Sequence, residues 1–98
     1  MIYKLSISTH SEDDLEQIVE WYGKENKEIS SEFIKSLDNI FEQVVSNPFL
    51  FQCVHKEFRS ANTGKFPYKV IYRINVNEVF VIAIVHHKRN PQVWKKRK

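Results

Sequence analysis

Ninety-eight residues, 42% of them hydrophobic, provide for one core and not for two. The chain is therefore read as a single domain over residues 1–98. No stretch approaches the roughly 18 apolar residues of a membrane span, and the opening MIYKLSISTH carries no apolar leader core. Cys53 is the only cysteine, so no intrachain disulfide is available and the cytoplasm is the expected location. The formal charge of +3 conceals a division. Residues 1–50 hold four lysines against ten carboxylates, a net −6, and residues 51–98 hold eleven Lys and Arg against Glu57 and Glu78, a net +9. That asymmetry points to an acidic or polyanionic partner for the second half, or to attraction between the halves.

In chain order, IYKLSIST alternates with the period of a strand. SEDDLEQIVEWYGKEN opens with Ser11 three residues before Asp14, the spacing of a capping box, and stacks Glu12, Asp13 and Asp14 at the positive end of a helix dipole. Leu15, Ile18, Val19 and Tyr22 then recur at helical spacing. A second helix is predicted through Phe33, Ile34, Leu37, Ile40, Phe41, Val44 and Val45, ending before Pro48. With only Gly23 and a few polar residues between them, the helices form an antiparallel hairpin. Trp21 and Tyr22 are expected to pack inside it.

Beyond NPFLFQ the pattern turns to strands: CVHKEFRS as one short strand, ANTG as a turn, KFPYKVIYRINV as a strand, NVNE as a turn and VFVIAIVHH as the last strand. The order β-α-α-β-β-β predicts an α+β two-layer sandwich, its helical hairpin on one face of a mainly antiparallel four-stranded sheet. A period of two places Phe66, Tyr68, Val70, Tyr72 and Ile74 toward the helices and Lys69, Ile71 and Arg73 away from them. The last strand is apolar on both sides, Val79, Val81, Ala83 and Val85 alternating with Phe80, Ile82 and Ile84. Something hydrophobic must then cover the second face: a partner, the NPFLF loop or the C-terminal tail.

Several residues bear on chemistry. Lys69 and Arg73 are cations on the second face, and Arg59 extends that surface if its register allows. His86 and His87 close the last strand, at most one of them facing the second side, and Lys88 and Arg89 follow. Trp94 stacks on a base, anchors a partner or packs the tail on the sheet. The terminal KKRK adds to anion binding or frays in solvent. Cys53, His55 and the histidine pair do not match zinc-ligand spacings, so neither metal nor cofactor is expected.

FPYKVIYRI and HHKRNPQVW, together with the SNPF that ends the second helix and the element order, resemble the RelE/ParE superfamily of bacterial type II toxins over essentially the whole chain. The resemblance implies a toxin of a plasmid-stabilisation-like system, neutralised by a cognate antitoxin that folds on binding and forms a hetero-oligomer with it. RelE-like members cut messenger RNA in the ribosomal A site and ParE-like members poison DNA gyrase; the alternative to both is a non-toxic module that binds antitoxin or nucleic acid. On the nuclease reading Lys69, Arg73, His86 and Arg89 are the catalytic set. Lys69 falls where those enzymes carry an arginine, and Lys88 or Arg89 lies near their second one. On either reading Arg59, Lys69, Arg73, His87, Lys88, Arg89 and Trp94 contact the partner or a nucleic acid. Where the nucleases carry a C-terminal tyrosine this chain has Trp94, whose indole has no useful titratable proton. The resemblance therefore favours the ParE-like branch.

Overall fold

The computed structural model describes residues 2–97. Strand β1 (Lys4–Ile7) leads into helix α1 (Thr9–Glu25), and helix α2 (Lys27–Ser46) follows after one residue. Asn26, extended at φ −169° and ψ 122°, serves both helices. Its N–H donates to the Tyr22 carbonyl at 2.8 Å, closing α1, and its Oδ1 accepts the Glu28 N–H at 2.8 Å, opening α2. The predicted hairpin is present, with its joint reduced to a single residue and Gly23 inside α1. The N-terminus of α1 also differs from expectation. Ser8 is the cap, its side chain accepting the Ser11 N–H at 3.1 Å, so Ser11 and Asp14 do not form a capping box and are left for other work.

A 3-10 turn (Pro48–Leu50) precedes four strands: β2 (Gln52–His55), β3 (Phe58–Asn62), β4 (Tyr68–Asn75) and β5 (Glu78–His86). The sheet has five strands in the order β1-β5-β4-β3-β2, with β1 parallel to β5 and the rest antiparallel. The α+β sandwich is as expected, but CVHKEFRS is a hairpin of two strands. Lys56 turns the chain at φ +49°, a left-handed conformation that no Gly or Asn announces. ANTG is displaced as well, since Ala61 and Asn62 belong to β3 and the turn begins at Thr63. The Val76–Asn77 turn is where NVNE placed it, with Val76 at φ +56° and almost fully exposed.

The main core lies between helices and sheet. Ile18, Phe33, Leu37, Ile40, Phe41 and Val44 meet Phe66, Val70, Tyr72, Val79, Val81 and Ile84, with Leu15, Val19 and Tyr22 alongside. Tyr22, Phe33, Phe66 and Tyr68 form an aromatic cluster with centroids 5.3–6.2 Å apart, edge-to-face except for the tilted Tyr22–Phe33 pair. Trp21 does not join it: 62% exposed, it stands outside the hairpin, as Ile34 does at 41%. Tyr72 is fully buried and donates its phenol proton to the Pro48 carbonyl at 2.6 Å. Burial pushes that phenol up to about 12, against a smaller lowering by the Arg59 guanidinium.

Strict alternation fails in β5. Ile71 pairs with Ala83 and Tyr72 with Val81, so Ile82 is the extra residue of a β-bulge. Val79, Val81 and Ile84 face the helices, whereas Ile82, Ala83 and Val85 join Ile71, Phe58 and Trp94 in a second cluster on the other side. The cover of that second face is the chain's own tail. Helix α3 (Gln92–Lys95) carries Trp94, 2% exposed, onto it. Trp94 is edge-on to Phe58 at 6.1 Å and to His55 at 6.3 Å. Its Nε1 is buried without a hydrogen-bond partner among the described residues, so the tail docks by apolar contact alone at that point.

Arg97 and Asp14 secure the arrangement. Arg97 Nη1 donates to Asp14 Oδ2 at 2.7 Å and to the Ile82 carbonyl at 2.9 Å, and Nη2 donates to Asp14 Oδ1 at 3.3 Å. Asp14 Oδ2 also accepts the Ile84 N–H at 3.0 Å. Ser8 N–H and the Ser11 hydroxyl donate to the Val81 carbonyl at 2.9 and 3.1 Å. Where β1 ends, these groups satisfy the backbone of the bulge. KKRK is therefore not a frayed run: Arg97 is largely covered in an ion pair, although Lys98 lies outside the described residues. Among the described residues no helix is long and apolar enough to cross a membrane.

Arg97→Ala, leaving an unpaired carboxylate in a site where both side chains are only 11% exposed, is expected to cost about 3 kcal/mol in urea unfolding. The double variant Asp14→Ala/Arg97→Ala is expected to cost less than the sum of the single changes. Val76→Asn relieves a β-branched residue at positive φ and should stabilise by about 1 kcal/mol in the same measurement. The Tyr72 phenol is raised in the folded state, so its share of stability is complete below the unfolded value near 10 and is lost as pH rises through about 12. That share is on the order of 2 kcal/mol. Stability followed across that window should fall less steeply in Tyr72→Phe.

Candidate functional site

The β4–β5 register decides where the cations point. Lys69 pairs with Val85 and Arg73 with Phe80, both on the tail-covered face, and the Arg73 guanidinium lies 4.8 Å from the centre of the Phe80 ring. Four residues of strand separate Lys69 from Arg73, about 13 Å at the usual rise. His86 pairs with Tyr68 and turns to the helix side, its ring edge-on to Tyr68 at 5.3 Å. Lys69 and His86 thus stand on opposite faces of the sheet. The bulge at Ile82 sets this parity, which strict alternation along β5 does not give.

Arg59 does not extend the Lys69–Arg73 surface. It pairs with Tyr72 and so lies on the helix side. There its Nη1 donates to the Phe51 carbonyl at 2.6 Å, and its guanidinium sits 5.2 Å from the Phe49 ring centre. Arg59 braces the turn after α2. Trp94, buried as described, presents no surface to a partner. His87, Lys88 and Arg89 are exposed in the turn after β5. The His87 N–H donates to the Pro67 carbonyl at 2.8 Å, and the Arg89 N–H to the His86 carbonyl at 2.9 Å. His86 Nδ1 accepts the Lys88 N–H at 3.0 Å, which leaves Nε2 as the nitrogen free to carry a proton outward.

Two concavities flank these residues. One, of about 270 Å³, lies between α1 and the end of β5, with Gln17, Trp21, Tyr68, His86 and Arg89 around it. The Tyr68 phenol there is raised by burial and, secondarily, by the neighbouring Tyr22, so near neutrality it serves as a hydrogen-bond donor and not as a base. The other, of about 320 Å³, lies on the tail face, where Arg73 meets Lys56, Lys95 and Lys96. No motif in the sequence marks Lys56, Lys95 or Lys96 individually. The only signals there were the positive half of the chain and the unresolved role of its KKRK ending.

What the arrangement does chemically is limited by its spread. A phosphate-cleaving centre needs cations and a proton donor around one scissile group, and Lys69, Arg73 and His86 do not converge on one point. Arg89 joins His86 at the helix-side cleft, not the pair on the tail face. Among the described residues no three His, Cys, Asp or Glu side chains gather as a metal site requires, and Cys53 is exposed on β2.

Comparison with solved structures finds the same architecture. A chain of the chromosomal ParDE TA system from P. aeruginosa superposes with a TM-score of 0.76 at 12% identity, covering 87% of this chain and 96% of that one. A chain of the toxin–antitoxin complex RelBE2 from Mycobacterium tuberculosis superposes with a TM-score of 0.62 at 16% identity, covering 88% and 99%. These likenesses establish the fold. No curated protein sequence is significantly similar to the chain. A sequence model of the ParE toxin of the type II toxin–antitoxin system parDE, however, matches residues 5–91. The chain belongs to the ParE toxin family of type II toxin–antitoxin systems.

Proposed function

We propose that this toxin arrests growth by poisoning DNA gyrase and is held inactive by a cognate antitoxin in a hetero-oligomer. Family membership supports the branch. The observation that carries the target is the separation of the cations from the histidine: Lys69 and Arg73 emerge on the tail face, and His86 emerges beside α1. A messenger-RNA-cleaving centre built from Lys69, Arg73, His86 and Arg89 would need one scissile phosphate to reach both faces of the sheet. Trp94, standing where RelE-like enzymes carry a tyrosine, supplies no proton and is buried. A gyrase poison needs no such centre; it needs a surface.

For the antitoxin, the acceptor surface is the exposed turn His87–Arg89 together with Lys69 and Arg73. Their charges complement an acidic segment that orders on binding. The cleft beside Trp21 offers an aromatic anchor on the helix side. Both neighbours superposed above come from toxin–antitoxin assemblies, which supports a protein partner of that kind here.

Induction in a bacterium separates the targets. Gyrase poisoning is expected to give growth arrest with cleaved plasmid recovered after protease treatment of the lysate. No new messenger-RNA 5′ ends should appear at in-frame codon positions, and Lys69→Ala should arrest growth as the parent does. In-frame ends that vanish in Lys69→Ala and Arg89→Ala, together with the arrest, would move the function to ribosome-dependent cleavage.

A further inference from the structure

The concavity of about 320 Å³ on the tail face is built from three elements that meet only in the folded chain. Lys56 and Glu57 come from the turn between β2 and β3, Arg73 from β4, and Lys95 and Lys96 from α3 and the residue that closes it. Arg97, also at its edge, is neutralised by Asp14. Among the described residues no carboxylate lies within ion-pair distance of Lys56, Arg73, Lys95 or Lys96. Glu57 is the one carboxylate in the lining, so four cations and one anion share it.

The backbone and one aromatic ring position these groups. The Arg73 guanidinium lies over the Phe80 ring, 4.8 Å from its centre, and has no ion-pair partner among the described residues, which leaves its N–H groups to a ligand. Lys56 is set by a left-handed backbone at φ +49°, a conformation that ordinary residues adopt only at a cost. Lys95 is the last residue of α3, whose Trp94 is buried against the sheet. Positive charge from three separate elements of the fold therefore lines one depression.

We infer that this depression binds phosphate groups of a nucleic-acid backbone. Phosphodiesters follow one another along a strand, so successive phosphates meet the cations that the three elements bring to the depression, about one apiece. The site is separate from the cleft lined by His86 and Arg89, and it stands whichever macromolecule the toxin attacks.

The test uses the full chain and a fluorescein-labelled duplex DNA of mixed sequence, with anisotropy read across a salt series. Wild type is expected to bind with a steep salt dependence. In Lys56→Gln/Lys95→Gln/Lys96→Gln, the slope of log Kd against log salt should fall by about 3, since each phosphate contact contributes about 0.9. Lys4→Gln/Lys24→Gln/Lys27→Gln removes the same charge from β1 and the helical hairpin and should leave the slope as it was. Should the first triple variant fail to fold, Lys56→Gln alone carries the test, with a slope lower by about 1. Equal slopes in the wild type and the site variant, equal losses in both triple variants, or wild-type binding to polyglutamate in preference to duplex would each overturn the assignment.

Discussion

The contact on which the rest of the molecule depends is the bidentate pair of Asp14 and Arg97 at the backbone of β5. One carboxylate from α1 and one guanidinium from the tail engage each other and the amide and carbonyl on either side of Ala83. A bulge in a central strand strands polar backbone groups in a dry interior, which is costly without partners. Here the partners arrive from both ends of the sequence. They tie helix, sheet and tail into one unit, and they let β5 change the face it presents midway along its length.

That change of face organises the chemistry. Before the bulge β5 sends Val79 and Val81 to the helices; after it, Ile84 takes that direction and His86 follows. A uniform strand would have put His86 on the side of Lys69. The division leaves the protein with two separate surfaces, an aromatic cleft beside α1 and a cationic depression beneath α3. Such a division suits a protein that acts by gripping other macromolecules more than one that performs an acid–base reaction at a point.

Much of this architecture was legible from residue pattern. The helices declare themselves because one-sided burial repeats their apolar residues at helical spacing, and β4 because Lys69 and Arg73 mark its outer face. Other features were hidden for physical reasons. VFVIAIV is apolar throughout, so no polar residue records which side each position faces, and an inserted residue leaves no trace. Lys56 reverses the chain without the glycine or asparagine that usually signals a left-handed turn. Asp14 sits where a capping residue would, and Arg97 within a basic run that resembles a solvated tail. The role of each exists only once the other is beside it. Arg59 was ambiguous because its face depends on pairing with Tyr72, a relation the local sequence does not contain.

The neighbouring of β1 and β5 also bears on how the protein comes into being. Residues 4–7 form a parallel pair with residues 78–81, and Asp14 waits for Arg97. During synthesis the first strand has no partner until the last one has emerged, and the second face has no cover until the tail follows. Closure of such distant contacts is slow, and until it occurs the nascent chain carries bare strand edges and exposed apolar side chains. A toxin of this topology can close its sheet and cover its second face only after residues 78–97 have been made.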